Sequence, residues 1–200
     1  MTSIVLAGGK GLRLGRDKLS EMVGDHTLLE RVIDRLSLVS GEILVVIAQG
    51  QPKPTLPSIK VVVDLYPGKG VVGGIYTGLV AAQSFHSLVV AGDMPFLNPS
   101  LLRYLIQVSP TYDVILPRIK DELEPLHAIY SKNCLVPIQQ QIEQGKLKVR
   151  DFLDQVRVRY VEEAEIGRFD PKKLSFFNIN TLADLGRARA LLKESGNLAI

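Results

Sequence analysis

The 200-residue chain has a single cysteine, Cys134, three scattered histidines (His26, His86 and His127) and no tryptophan. One cysteine cannot close an internal disulfide, and three isolated histidines offer none of the paired spacings that hold zinc. No histidine or carboxylate motif surrounds Cys134, which reads as a packed core thiol rather than a nucleophile. Long apolar runs are missing too; none approaches the length of a membrane span. The N-terminus lacks a charged stretch followed by an apolar core and a cleavage site, so a cytoplasmic location is the expectation. There is no run of lysine and arginine, and aromatic residues make up only 6% of the chain, which argues against nucleic acid as a partner. The net charge of +3 and a pI near 9.0 point weakly to anionic ligands.

What is present describes an enzyme-like globular chain. Hydrophobic residues make up 46% and charged residues 22%, enough to bury a sizeable core at an ordinary surface charge. The length fits one domain over residues 1–200, and no repeat, low-complexity tract or linker divides it.

The most informative stretch is LAGGKGLRLGRDK, Leu6 to Lys18. It follows the β-prone run Ser3-Ile4-Val5-Leu6 and holds four glycines (Gly8, Gly9, Gly11, Gly15) and four cations (Lys10, Arg13, Arg16, Lys18). A strand opening into a glycine-rich cationic loop suits nucleotide phosphates, because glycine lets backbone N–H groups approach phosphate oxygens closely. The Walker pattern GxxxxGK(S/T) fails, since Arg16 follows Gly15. The dinucleotide pattern GxGxxG fails at Leu14. The loop is therefore of a third type, and the bland alternative is a surface turn that merely uses glycine.

Strand-length apolar runs then alternate with helical periodicity. The spacing predicts a helix over Leu28–Val39, with Thr27 as cap and Glu30 three residues on. Strands are expected over Ile43–Ala48, Ile59–Val63, Leu88–Ala91, Val114–Leu116 and Leu126–Tyr130, with an alternating, half-exposed edge strand over Val156–Val161. Ser175–Ile179 reads as a last extended segment. Helices are expected over Ile75–Ser84, Pro99–Val108 (with Asn98 or Ser100 as cap), Asn133–Gln144 and Leu182–Glu194, the last capped by Thr181. The pattern predicts an α/β fold: a Rossmann-like, mostly parallel sheet with helices on both faces. In such a sheet ligands bind beyond the carboxyl ends of the strands. Three marked features fall at strand ends: the Leu6–Lys18 loop, Asp64, and Gly92-Asp93.

Asp93 is a candidate magnesium ligand, because magnesium takes one or two carboxylates plus phosphate oxygens; as a helix cap it would lie too far upstream of Pro99. Asp64 is open to three readings: a second metal ligand, a contact to base or ribose, or a turn aspartate before Pro67. Lys18 and Arg13 are candidates to neutralise a triphosphate and a departing pyrophosphate. Lys10 and Arg16 fit solvated surface positions equally well.

The Leu6–Lys18 stretch closely resembles the LAGGxGxRMGxDK signature of the nucleotidyltransferases that include the molybdenum cofactor guanylyltransferases, with Leu14 in place of methionine. The resemblance continues in order through VVVDLYPGKGVVGGIYTGL (Val61–Leu79), VVAGDMPFL (Val89–Leu97), EPLHAIYSK (Glu124–Lys132), GKLKVRDFL (Gly145–Leu153) and FFNINTLADL (Phe176–Leu185). It implies a nucleotide site on Leu6, Ala7, Gly8 and Gly9, with Arg13 and Lys18 on phosphates, Asp64 on the nucleotide and Asp93 on magnesium. Asn178 and Asn180 match paired asparagines near the pterin and metal. Gln49 stands where the family often has asparagine, Val71-Val72 replaces Pro-Leu, and Leu182 replaces proline. The implied reaction is GMP transfer from GTP to the terminal phosphate of molybdopterin, with release of pyrophosphate. Lys146, Lys148 and Arg150 would form an anion rim for the acceptor, helped by His127, Asn178 and Asn180. The three cations also fit a solvated loop, and His127 also fits a hydrogen-bonded core position.

Three alternatives stand beside this reading: a cytidylyltransferase using CTP on the same pterin, a transferase acting on another small phosphate, and a non-catalytic nucleotide-binding module for cofactor delivery. Implied partners are the two small substrates and, transiently, proteins of molybdenum-cofactor synthesis or delivery. The oligomeric expectation is a monomer or weak homo-oligomer.

Overall fold

The computed structural model of the protein describes residues 1–8 and 18–196. Gly9 and Arg13 lie outside the described residues.

In chain order the elements are β1 (Thr2–Leu6), a small hairpin of β2 (Met22–Val23) and β3 (His26–Thr27), α1 (Leu28–Ser37), β4 (Glu42–Ile47), β5 (Lys60–Val63), α2 (Gly70–Ala81), β6 (His86–Ala91), α3 (Pro99–Val108), β7 (Val114–Ile119), β8 (Glu122–Leu123), β9 (His127–Ser131), α4 (Leu135–Glu143), β10 (Val158–Glu162), α5 (Glu163–Ile166) and α6 (Leu182–Gly196). The main sheet runs β10-β7-β9-β6-β1-β4-β5, with β8 added to β7. The β6-β1-β4-β5 half is wholly parallel, as is the β10-β7 pair; β9 runs antiparallel to both its neighbours. This is the α/β, mostly parallel sheet with helices on both faces that the alternation of strand and helix predicts.

Strand periodicity divides the interior into two cores. In β1, Val5 points into one layer with Leu29, Val32 and Leu36 of α1 and Leu101, Leu102 and Leu105 of α3. Its neighbour Ile4 points into the other, with Val72, Ile75 and Leu79 of α2 and Ile138 and Ile142 of α4. Continuous apolar strands such as β4 are needed because both faces are covered. A third, small core joins Val23 and Leu28 to Ile179, Leu185 and Ala188, so α6 closes over the N-terminal hairpin.

Local chemistry sets the helix starts. Thr27 and Glu30 form a complete capping box at α1. The Asn98 side chain accepts from the N–H groups of Ser100 and Leu101 at α3, ahead of Pro99. Cys134 is buried, and burial pushes its thiol up to about 12, as a packed thiol requires.

Two expectations need correction. The helix expected over Ile75–Ser84 runs Gly70–Ala81 instead. Its glycines are packing surfaces rather than turn signals: a Cβ on Gly74 would sit 3.1 Å from Leu6, one on Gly78 only 2.4 Å from Ile4, and one on Gly73 3.0 Å from the Tyr66 carbonyl. Glycine lets this helix lie close on β1. Second, Ser175–Ile179 is not a strand. Leu174–Phe176 forms a 3-10 turn, and the residues after it are irregular. Phe176 stacks on His127, Phe177 packs with Phe96, and Ile179 enters the small core, so the apolar side chains disperse to three places.

Candidate active site

The carboxyl ends of β1, β4, β5 and β6 form one edge, tied together by backbone bonds beyond the strands proper. Ala7 N donates to Val46 O (2.9 Å), Gly92 N to Leu6 O (3.0 Å) and Asp64 N to Ile47 O (2.8 Å). Leu6, Ala7 and Gly8 lie at the centre of this edge. A Cβ on Gly8 would meet Ala48 N at 3.0 Å, so the entry to the loop passes tightly over the end of β4.

Gln49, the expected counterpart of the family asparagine, is exposed in the turn after β4. Gln51 is the residue whose side chain bonds to the strand ends at this edge. Gly50, with φ +79°, turns the chain back. The Gln51 Nε2 then donates to Ala7 O, and its Oε1 accepts from Ala48 N, both at 3.1 Å. No sequence motif marks this amide; its partners are backbone groups of two strands distant in sequence.

Asp64 ends β5 as expected. Its Oδ1 accepts from Tyr66 N (3.0 Å) and from Thr77 Oγ1 (2.9 Å), and Thr77 Oγ1 in turn accepts from Leu65 N (3.0 Å). One carboxylate oxygen is thus committed to the turn and to α2, which fixes the side chain at the edge.

Asp93 and Lys18 meet directly. The Lys18 ammonium lies 2.5 Å from Asp93 Oδ2 and 3.0 Å from Asn180 Oδ1, and both charged side chains are mostly buried, at 15% and 20% exposed. Asp93 Oδ1 is buried and has no hydrogen-bond partner among the described residues. A buried carboxylate oxygen left unpartnered is costly, and a hard cation is the ligand that suits it. No group of three or more His, Cys, Asp or Glu side chains suited to a metal occurs among the described residues. One carboxylate beside a phosphate site fits magnesium, which fills its remaining positions with water and substrate oxygens.

Asn180 is held by a residue that the sequence does not flag as functional. Asp184 Oδ2 accepts from Asn180 N, Thr181 N and Thr181 Oγ1, while Thr181 Oγ1 accepts from Asp184 N. The hydrogen bond from Asn180 N and those from Thr181, aided by the charge of Lys18, lower the Asp184 pKa. Ile179 N donates to Asp93 O (3.1 Å), joining this segment to the end of β6. Asn178 donates from its side chain to Phe176 O (3.2 Å).

Among the described residues, the remaining expected side chains make no hydrogen bond to this cluster. Lys146, Lys148 and Arg150 are exposed on the segment after α4. His127 is fully buried and stacked on Phe176, with ring centroids 4.4 Å apart. Neither ring nitrogen has a partner among the described residues, and burial lowers its pKa to about 3. It is a core histidine, but without the hydrogen bonds expected of one.

Residues 3–160 match the model of the MobA-like NTP transferase domain. A probable molybdenum cofactor guanylyltransferase of Pelotomaculum thermopropionicum is 40% identical, over 97% of this chain and 94% of the relative. Molybdopterin-guanine dinucleotide biosynthesis protein A from Archaeoglobus fulgidus superposes with a TM-score of 0.81 at 30% identity, covering 97% of this chain and all of that one. A 4-diphosphocytidyl-2C-methyl-D-erythritolsynthase from Anaerococcus prevotii shares the fold at a TM-score of 0.71 and 18% identity, over 96% of this chain and 95% of that one.

Proposed function

The chain belongs to the MobA-like NTP transferases, among the molybdenum cofactor guanylyltransferases, and on that premise we propose how its residues transfer GMP from GTP to the terminal phosphate of molybdopterin. The observation that carries the reading is the meeting of Lys18, Asp93 and Asn180 at the strand edge where Gly8 begins the glycine loop.

The acceptor phosphate is already an anion, so no covalent enzyme intermediate is needed; the protein positions two phosphates and stabilises charge. Asp93 would hold magnesium, and the ion would supply positive charge beside the reacting phosphates. Lys18, with Arg13 of the glycine loop, takes up charge on the triphosphate and then on pyrophosphate. The Gly8 amide would face the nucleotide, and the family signature assigns Gly9 to the same site. Asp64 orients the nucleoside through the oxygen that Tyr66 and Thr77 leave open. Gln51 keeps Ala7 and Gly8 in register with the end of β4. Asn178 and Asn180 face the acceptor, whose anionic groups pass the Lys146, Lys148 and Arg150 rim, with His127 behind Phe176. The enzyme works as one domain over residues 1–200, in the cytoplasm.

The test is pyrophosphate release across GTP, CTP and UTP, each with molybdopterin and with a sugar phosphate. GTP with molybdopterin should exceed every other pair. Asp93→Ala should lower kcat by about a hundredfold or more, the loss typical of one pre-organised charge contact. Near-normal turnover by that variant refutes the assignment.

A further inference from the structure

Lys18 does not point into open solvent. Its ammonium is held between two oxygens, Asp93 Oδ2 and Asn180 Oδ1. Both are hard donors of the kind a divalent cation takes. The backbone that carries each is anchored: Asn180 N donates to Asp184, which also exchanges bonds with Thr181, and Asp93 O accepts from Ile179 N. An ammonium 2.5 Å from a carboxylate and a divalent ion on the same carboxylate would be like charges in near contact, within a mostly buried site where screening is weak.

We propose that Asp93 and Asn180 form a single cation seat with two alternative occupants, the Lys18 ammonium and the divalent metal, and that Asn180 is a positioning residue that sets where Lys18 waits. Taking up the metal expels Lys18, and the nucleotide triphosphate receives it. Metal and nucleotide therefore bind cooperatively, because the phosphates supply the oxygens that Lys18 gives up. Metal alone binds weakly, since it displaces a lysine that has nowhere comparable to go. The proposal rests on the reading of Asp93 as the metal ligand.

Mn²⁺ binding, followed by electron paramagnetic resonance of the free ion, tests it without turnover. Without nucleotide, Lys18→Met and Lys18→Gln should each bind Mn²⁺ about tenfold more tightly than wild type, or better. Adding Asn180→Ala to either should remove most of that gain. With α,β-methylene GTP present, wild type should gain much more Mn²⁺ affinity than the Lys18 variants. Unchanged or weaker Mn²⁺ binding by both Lys18 variants overturns the exchange, as does a gain that survives loss of Asn180. Asp93→Asn separates the two levels of the argument. If it leaves Mn²⁺ uptake with the GTP analogue intact, the metal reading fails. If it abolishes that uptake while the Lys18 variants match wild type, only the exchange fails.

Discussion

Replacing His127 by leucine should make the protein more resistant to mild acid. The imidazole is fully buried against Phe176, neither nitrogen is paired among the described residues, and burial lowers its pKa to about 3. In the unfolded chain an ordinary histidine titrates near ~6.5. Below that pH the unfolded state binds a proton that the folded state refuses, so stability falls as pH drops from about 6.5 toward 3. At pH 5.0 the loss is about 2 kcal/mol, from 1.5 pH units at ~1.36 kcal/mol each. At pH 7.5 the substitution is close to neutral: the lost ring stack (about 0.5–1.5 kcal/mol) opposes relief of an unpaired N–H (about 1–3 kcal/mol). Urea unfolding of both proteins at pH 7.5, 6.0 and 5.0 reads the effect, and His26 and His86 cancel because both proteins carry them. The variant should gain about 2 kcal/mol on wild type between the first and last pH, or roughly 4–8 °C in Tm. A gap that does not change with pH refutes the reasoning, as does a His127 imidazole that titrates near neutrality in the folded protein.

Other perturbations test the packing. Gly78→Ala should destabilise by about 1–3 kcal/mol in thermal melts, since its Cβ would fall 2.4 Å from buried Ile4 and overpacking outweighs the gain in helix propensity. Gly186→Ala in α6, with nothing within 4 Å of its Cβ, should instead stabilise by about 0.5–1 kcal/mol. Asp113→Ala should cost about 3 kcal/mol in urea unfolding, because the buried carboxylate accepts from Asn133, Ser131, and the backbone and guanidinium of Arg157. Arg157→Ala should cost much less in the same assay, as its side chain is 67% exposed and screened by water.

Features with a local cause were legible in the sequence. Thr27 and Glu30 mark the start of α1 because a capping box is complete within four residues. Pro99 marks α3, and the unbroken apolar run of β4 marks a strand covered on both sides. The start of α2 was hidden, because a glycine cluster reads the same whether it frees the backbone for a turn or clears space for a neighbour; only the positions of Ile4 and Leu6 decide. The Phe176-Phe177 stretch looked extended because composition does not show that its side chains go to different partners. At the site, Asp64 and Asp93 stood out because each ends an apolar strand. Gln51 and Asp184 act on backbone groups and on a neighbouring asparagine, and residue type alone carries no sign of either. The exposed Gln49 lay closer in sequence to the end of β4, but the turn at Gly50 brings Gln51 back instead.

Lys18 and Asn180 are separated by 162 positions, so this one contact spans most of the chain. Every strand of the main sheet is complete by Glu162, before Asn180 occurs. Domains fold as their chains emerge, and distant contacts close late because of their loop entropy. During synthesis, then, the sheet and the nucleotide edge can assemble while the lysine still has only half of its oxygen cradle. On the proposed site, the Lys18–Asn180 contact can close only after every strand of the main sheet has been made. A lesion at Asn180 should therefore leave the two cores of the main sheet in place while Lys18 loses one of its two oxygens.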